Sequence, residues 1–170
     1  FLKSVTQNDH HVRIDVDKMA QTLVIPFGAS DNTETDTGFN LVGPVLIEDI
    51  KLIVTAIDAT ETIEVGTDGT TTNDPDGLID AASVGTAGYV ELKPQITGGT
   101  NIDYVGANYV GVLLATSIAG ADAVATVGGW TRLETLIGAA EVDCNITYTG
   151  SAGSDTAAGY IILILRKMLS

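Results

Sequence analysis

Cysteine, positive charge and aromatic rings are all scarce in this sequence, and each shortage narrows what the protein can be. Cys144 is the only cysteine, so no internal disulfide can form and stability has to come from packing or assembly. One cysteine and two adjacent histidines, His10 and His11, cannot supply the four ligands of a structural zinc site. Eight Lys and Arg stand against 22 Asp and Glu, a formal net charge of −14. Binding a phosphate backbone requires cations to displace counterions, so no nucleic-acid partner is expected. Anionic membranes are disfavoured for the same reason. Aromatics make up 5% of the chain, which leaves the core to Val, Ile, Leu and Ala. Membrane-spanning runs are missing too. Residues Tyr109 to Trp130 are long enough to span but are interrupted by Asp122 and several glycines. Residues Ala157 to Met168 fall well short of the roughly 20 a spanning helix requires. No signal-peptide pattern stands at the start, which begins at Phe1.

What is present favours strands. The chain has 170 residues, 45% of them hydrophobic, and 19 glycines. Small, β-branched and turn-forming residues in one domain-sized chain indicate an all-β fold. About eight strands with long polar loops fit an antiparallel β-sandwich of jelly-roll type with one or two short helical turns. Residues 1–20 read as an N-terminal arm and residues 21–170 as a single β-sandwich domain. In the arm, "HHVRIDVDKMAQTL" suits a short strand, a helical turn or an extended segment. His10 and His11 lie near Asp9, Asp15 and Asp17, but adjacent histidines on a strand point to opposite faces, so the pair reads as solvated.

"TLVIPF" is a strand whose Pro26 suits a sheet edge. Residues Val45 to Ile57 alternate as one long strand, with Leu46, Ile50, Leu52, Val54 and Ala56 on an apolar face that Glu48 interrupts. Asp49, Lys51 and Thr55 take the other face. "LIDAASV" is expected to form a short helical turn, N-capped by Asp76 and ended by Gly85. "WTRLETLIGAAEV" has Leu133, Leu136 and Ile137 at helical spacing. The last strand, Ile161 through Leu165, is apolar on both faces, so the core should cover one side and a helix or neighbouring subunit the other.

The stretch "GTDGTTTNDPDGLID" (66–80) is the most suggestive of a site. Placed on the helix-loop-helix calcium template, Asp74, Asp76 and Gly77 fall at positions three, five and six. Thr72 then holds position one and Ser83 replaces the bidentate glutamate, so two ligands are missing. A looser oxygen-lined calcium site using Asp68, Asp74, Asp76 or Asp80 stands beside a plainer reading as turn chemistry, with Asp-Gly pairs at 68–69 and 76–77 and a bend at Pro75. No nucleophile elbow, rigid Ser-His-Asp set or phosphate cradle occurs, so no enzyme activity is expected. Cys144, in the strand-like "EVDCNITY", reads as a buried inert thiol. Asn145-Ile-Thr147 matches the glycosylation triplet. Trp130 suits core or interface packing.

Two segments carry a resemblance. "IEVGTDGTTTNDPDGLIDAASVGTAGYVE" (63–91) and "ITYTGSAGSDTAAGYIILILRKM" (146–168) resemble small structural proteins of tailed bacteriophages, over about a third of the chain. The resemblance implies a capsid-associated β-sandwich, a decoration (cement) protein or head-fibre base on the outer surface of the virion, oligomeric and often trimeric. Its implied partners are the major capsid protein and further copies of itself. On that basis Ile161, Ile162, Leu163, Ile164 and Leu165 are expected to form the core or subunit-contact strand, with Trp130 and the arm from Phe1 and Leu2 to Asp17 as further interface residues. The rival expectation is a secreted or surface-displayed β-sandwich module that binds glycans or calcium.

Overall fold

The computed structural model describes residues 2–8, 11–16, 20–92, 96–97, 108–114, 116–118, 130–132, 135–151 and 156–168. The chain is all-β. Strands β1 (Leu2–Asn8) and β2 (His11–Val16) form a hairpin, followed by β3 (Gln21–Phe27), β4 (Thr35–Leu41) and β5 (Val45–Ala56). Next come β6 (Thr62–Gly69), β7 (Asp74–Ser83) and β8 (Gly88–Val90), then the short β9 (Ile96–Thr97) and β10 (Tyr109–Val110). The closing elements are β11 (Thr116–Ile118), β12 (Trp130–Arg132), β13 (Thr135–Ile137), β14 (Cys144–Gly150) and β15 (Ala158–Lys167).

Pairing is mostly antiparallel. A seven-stranded sheet runs β1-β2-β4-β14-β6-β7-β10, and a five-stranded sheet runs β13-β5-β15-β3 with β8 also on β5. A small third sheet, β12-β11-β9, holds Trp130 opposite Ile118. Among the described residues β2 with β4 and β9 with β11 pair in parallel. The opening segment is thus a hairpin whose second strand joins the large sheet beside β4. Phe1 and His10 lie outside the described residues.

One apolar cluster takes side chains from both large sheets: Ile63, Val65, Ile79 and Ile146 from the seven-stranded one, Ile25, Leu52, Ile161 and Leu163 from the five-stranded one. Phe27 and Tyr148 meet edge to face across the cluster, with ring centroids 6.1 Å apart. Each fully buried aliphatic side chain contributes about 1.5–3 kcal/mol of transfer free energy, and Ile161, Leu163 and Leu165 are all at 0% exposure. β15 lies between β5 and β3, and β3 with its Pro26 is an edge, as its missing N–H requires.

Three local expectations are corrected. On β5 the buried residues are Val45 and Ile47, then Ile50, Leu52 and Val54. The pairing partners of Ile164 and Leu165 jump from Asp49 to Ile47, so Glu48 is a bulged residue. The extra residue inverts the alternation: Leu46 leaves the apolar face, and the Glu48 carboxylate instead reaches Arg166 Nε at 2.8 Å.

The expected helical turn at "LIDAASV" is part of β7, because β6 provides a ladder for that backbone. In "WTRLETLIGAAEV", β12 and β13 are strands, with Leu136 opposite Leu46 and Ile137 opposite Val45. A helix this short has little intrinsic stability, and sheet pairing prevails. Among the described residues the helical structure is a single 3-10 turn, Val112–Leu114.

Candidate functional site

The acidic stretch is a β-hairpin. Its arms are β6 and β7, and its loop is residues 70–73. The arms do not pair evenly. From Val65 to Thr67, β6 advances two residues while its partners on β7 run from Ile79 to Asp74, so three extra residues of β7 leave the ladder. That bulge passes between two glycines. A Cβ on Gly66 would stand 2.1 Å from the Asp74 carbonyl oxygen, and one on Gly111 would stand 2.1 Å from that of Asp76. Neither position can carry a side chain without moving backbone. A second irregularity, between Ile63 and Val65, coincides with Ala81 at φ 50°, a left-handed conformation rare for a residue with a Cβ.

The loop is held from below. Glu141, 1% exposed, accepts hydrogen bonds from the amides of Thr70 at 2.6 Å and Thr71 at 2.9 Å, and from the Thr71 hydroxyl. The Thr71 hydroxyl first, then the amides of Thr71, Thr70 and Thr72, hold this carboxyl below the usual carboxylate range against the opposing effect of burial. Glu141 is the residue that sequence reasoning missed. It stands about 70 positions from its partners, and "AAEVDC" carries no local motif.

The four aspartates divide. Asp68 takes a 3.1 Å hydrogen bond from Asn73 Nδ2. Asp74 and Asp76 lie together: burial, then a hydrogen bond with Asp76, pushes the Asp74 carboxyl up. Burial followed by the charges of Asp76 and Asp80 does the same to Glu64, which the sequence did not single out. This end of the seven-stranded sheet therefore brings several carboxyls close together. Among the described residues, no three or more His, Cys, Asp and Glu are placed to hold one metal ion.

Neighbouring positions are structural. Cys144 is buried, and its thiol is pushed up to about 12 by burial, then by Glu141 and Asp68, which leaves it un-ionised and unreactive. In the glycosylation triplet, Asn145 Oδ1 accepts from Asn40 Nδ2 at 2.8 Å and the buried Thr147 hydroxyl donates to Glu34 at 2.6 Å.

The second candidate is the outer face of the five-stranded sheet. Ile161, Leu163 and Leu165 point into the core, while Ile162 and Ile164 are only half-buried on the other side. Register sets Tyr89, Ile53, Tyr160 and Pro26 in one row across β8, β5, β15 and β3, and Lys51, Ile162 and Val24 in the next. Tyr89 is 63% exposed, Leu136 53%, Val24 49% and Tyr160 43%. Of the contact residues expected from the sequence, Ile162 and Ile164 lie on this open face and Ile161, Leu163 and Leu165 lie in the core. Trp130 and Leu2 belong to other sheets. The strand "AAGYIILILRK" announced its two apolar faces, whereas its companions Val24, Ile53 and Tyr89 come from distant segments.

Set against known proteins, the chain matches no family model, no curated protein and no solved structure. The two faces therefore have to speak for themselves. One gathers carboxyls of like charge, and the other exposes aliphatic and aromatic surface around a central strand.

Proposed function

We propose that this chain is a non-enzymatic structural subunit of a virus particle. It is a decoration or cement protein with a jelly-roll β-sandwich body that sits on the outer surface of a capsid. It binds the major capsid protein and further copies of itself, and it stabilises the shell through contact area alone. The observation that carries the reading is the exposed apolar face around Tyr160 and Ile162, a surface suited to contact rather than chemistry. The net charge of −14 suits a position outside a shell packed with DNA, where an acidic surface inside would be repelled.

The test is add-back to DNA-filled shells that lack the protein. Co-sedimentation and a higher temperature of genome release are expected. Shells that neither bind the chain nor change their release temperature would overturn the proposal.

A second reading has one observation of its own. Tyr89 and Tyr160 flank Ile53 in one row, two strand spacings or about 10 Å apart. Two exposed rings at that separation form a platform on which sugar rings could stack, as in a displayed glycan-binding module. Saturable binding on a glycan panel, lost in Tyr89→Ala, would favour this reading over the shell role.

A further inference from the structure

The two candidate faces differ in charge as well as polarity, and the difference selects an occupant for the apolar one. The strands of the five-stranded sheet carry Glu48, Asp49, Lys51, Arg166 and Lys167, two anions and three cations. Strands β6 and β7 carry Glu64, Asp68, Asp74, Asp76 and Asp80, five anions and no cation. Screening limits charge interactions to about 10 Å at ordinary ionic strength. The local charge of a face, rather than the total of −14, therefore decides what can approach it.

A basic partner would choose the β6–β7 face. Another copy of this acidic chain is best accepted where local charge is balanced, and the five-stranded sheet is such a place. The area is of the right order. Tyr89, Leu136, Val24 and Tyr160 together leave on the order of 400 Å² uncovered. One partner of a standard interface buries about 800 Å², and the half-buried Leu46, Ile53, Ile162 and Ile164 between these side chains extend the patch.

We propose that a second copy of this chain packs against the outer face of the five-stranded sheet, with Tyr160 and Ile162 at the centre of the contact. This rests on the reading of the chain as an assembling subunit, and it names which surface does the assembling. Lys51, beside Ile162, is one of the cations that offset Glu48 and Asp49 on these strands.

Sedimentation equilibrium of the full chain tests it, with circular dichroism to check folding and shell attachment measured in parallel. The wild type is expected to exceed its monomer mass of 17.6 kDa. Ile162→Lys places an unpaired charge at the centre and should weaken self-association by roughly 30-fold or more. Val24→Lys, at a position already half exposed, gives a second reading should Ile162→Lys fail to fold. Lys51→Glu should weaken association by roughly tenfold at low salt and by less at high salt. Adding Asp49→Lys to it should restore the charge balance and the association.

A wild type that stays monomeric at every concentration overturns the inference, even where it still attaches to shells and the shell proposal stands. An oligomer that survives both lysine variants overturns it too. An oligomer that the lysine variants dissolve supports the inference, even where no shell attachment is seen and the shell proposal fails.

Discussion

The β6–β7 hairpin and the β5–β15–β3 face are both outward surfaces of one β fold, and they solve opposite problems. The hairpin has too much like charge. Its carboxyls at Glu64 and Asp74 are pushed up by burial and by their acidic neighbours, and its loop is tied down by a buried glutamate from a distant segment. The sheet face has almost no local charge imbalance but leaves Tyr89, Tyr160 and Val24 in solvent. Like charge deters association and exposed apolar area invites it. That contrast is why the proposed contact with a second copy is placed on the second face rather than on the first.

The largest effect that would sharpen this contrast lies within β15 itself. Leu163→Ala, a cavity in the core, should cost about 2–5 kcal/mol in urea unfolding of dilute monomer. Ile162→Ala, one residue away on the open side, should cost less than about 1.5 kcal/mol under the same conditions. Equal losses would mean that the two sides of the strand are not differently covered.

The hairpin clamp comes next. Glu141→Gln leaves amide donors without their carboxylate and should cost about 1–3 kcal/mol at neutral pH. The Glu141 carboxyl is held below its ordinary value in the folded state, so its contribution is present above the ordinary carboxylate range and is lost as pH falls through the folded value. The gap between wild type and variant should therefore close in acid. A gap unchanged from pH 7 to pH 3 would show that the clamp does not depend on ionisation.

The smallest effect concerns repulsion. Groups whose folded pKa is raised favour the fold below the unfolded value, and that advantage is lost as pH rises through the folded one. Wild type should thus carry a small penalty at neutral pH from Glu64 and Asp74. Asp76→Asn should relieve it, raising stability by about 0.5 kcal/mol at pH 7, with thermal melts of the two proteins converging in acid. A variant less stable than wild type at pH 7 would mean that Asp76 acts as a needed acceptor for Asp74 rather than as a source of repulsion.

Much of this was legible in the residues, and the exceptions have specific causes. The edge position of Pro26, the buried thiol of Cys144 and the strand character of Val45–Ala56 follow from backbone donors, local polarity and period-two alternation. Glu48 was legible only as an anomaly on an otherwise apolar face. The bulge that explains it exists because of pairing with β15. The helical spacing in "WTRLETLIGAAEV" misled because a short segment cannot hold a helix against an available sheet edge. The four aspartates looked equivalent along the chain, yet pairing leaves Asp68 with Asn73, sets Asp74 against Asp76, and brings Asp76 and Asp80 near Glu64.

By itself the sequence determined what depends on neighbours along the chain: an acidic, disulfide-free, all-β protein whose last strand is apolar on both sides. Only the tertiary structure decided which of those sides faces solvent, which aspartates share a neighbourhood, and that Glu141 holds the loop at Thr70 and Thr71. The physical reason is that strand pairing is non-local. One bulged residue inverts every side chain beyond it, and partners about 70 positions apart leave no mark on either local pattern.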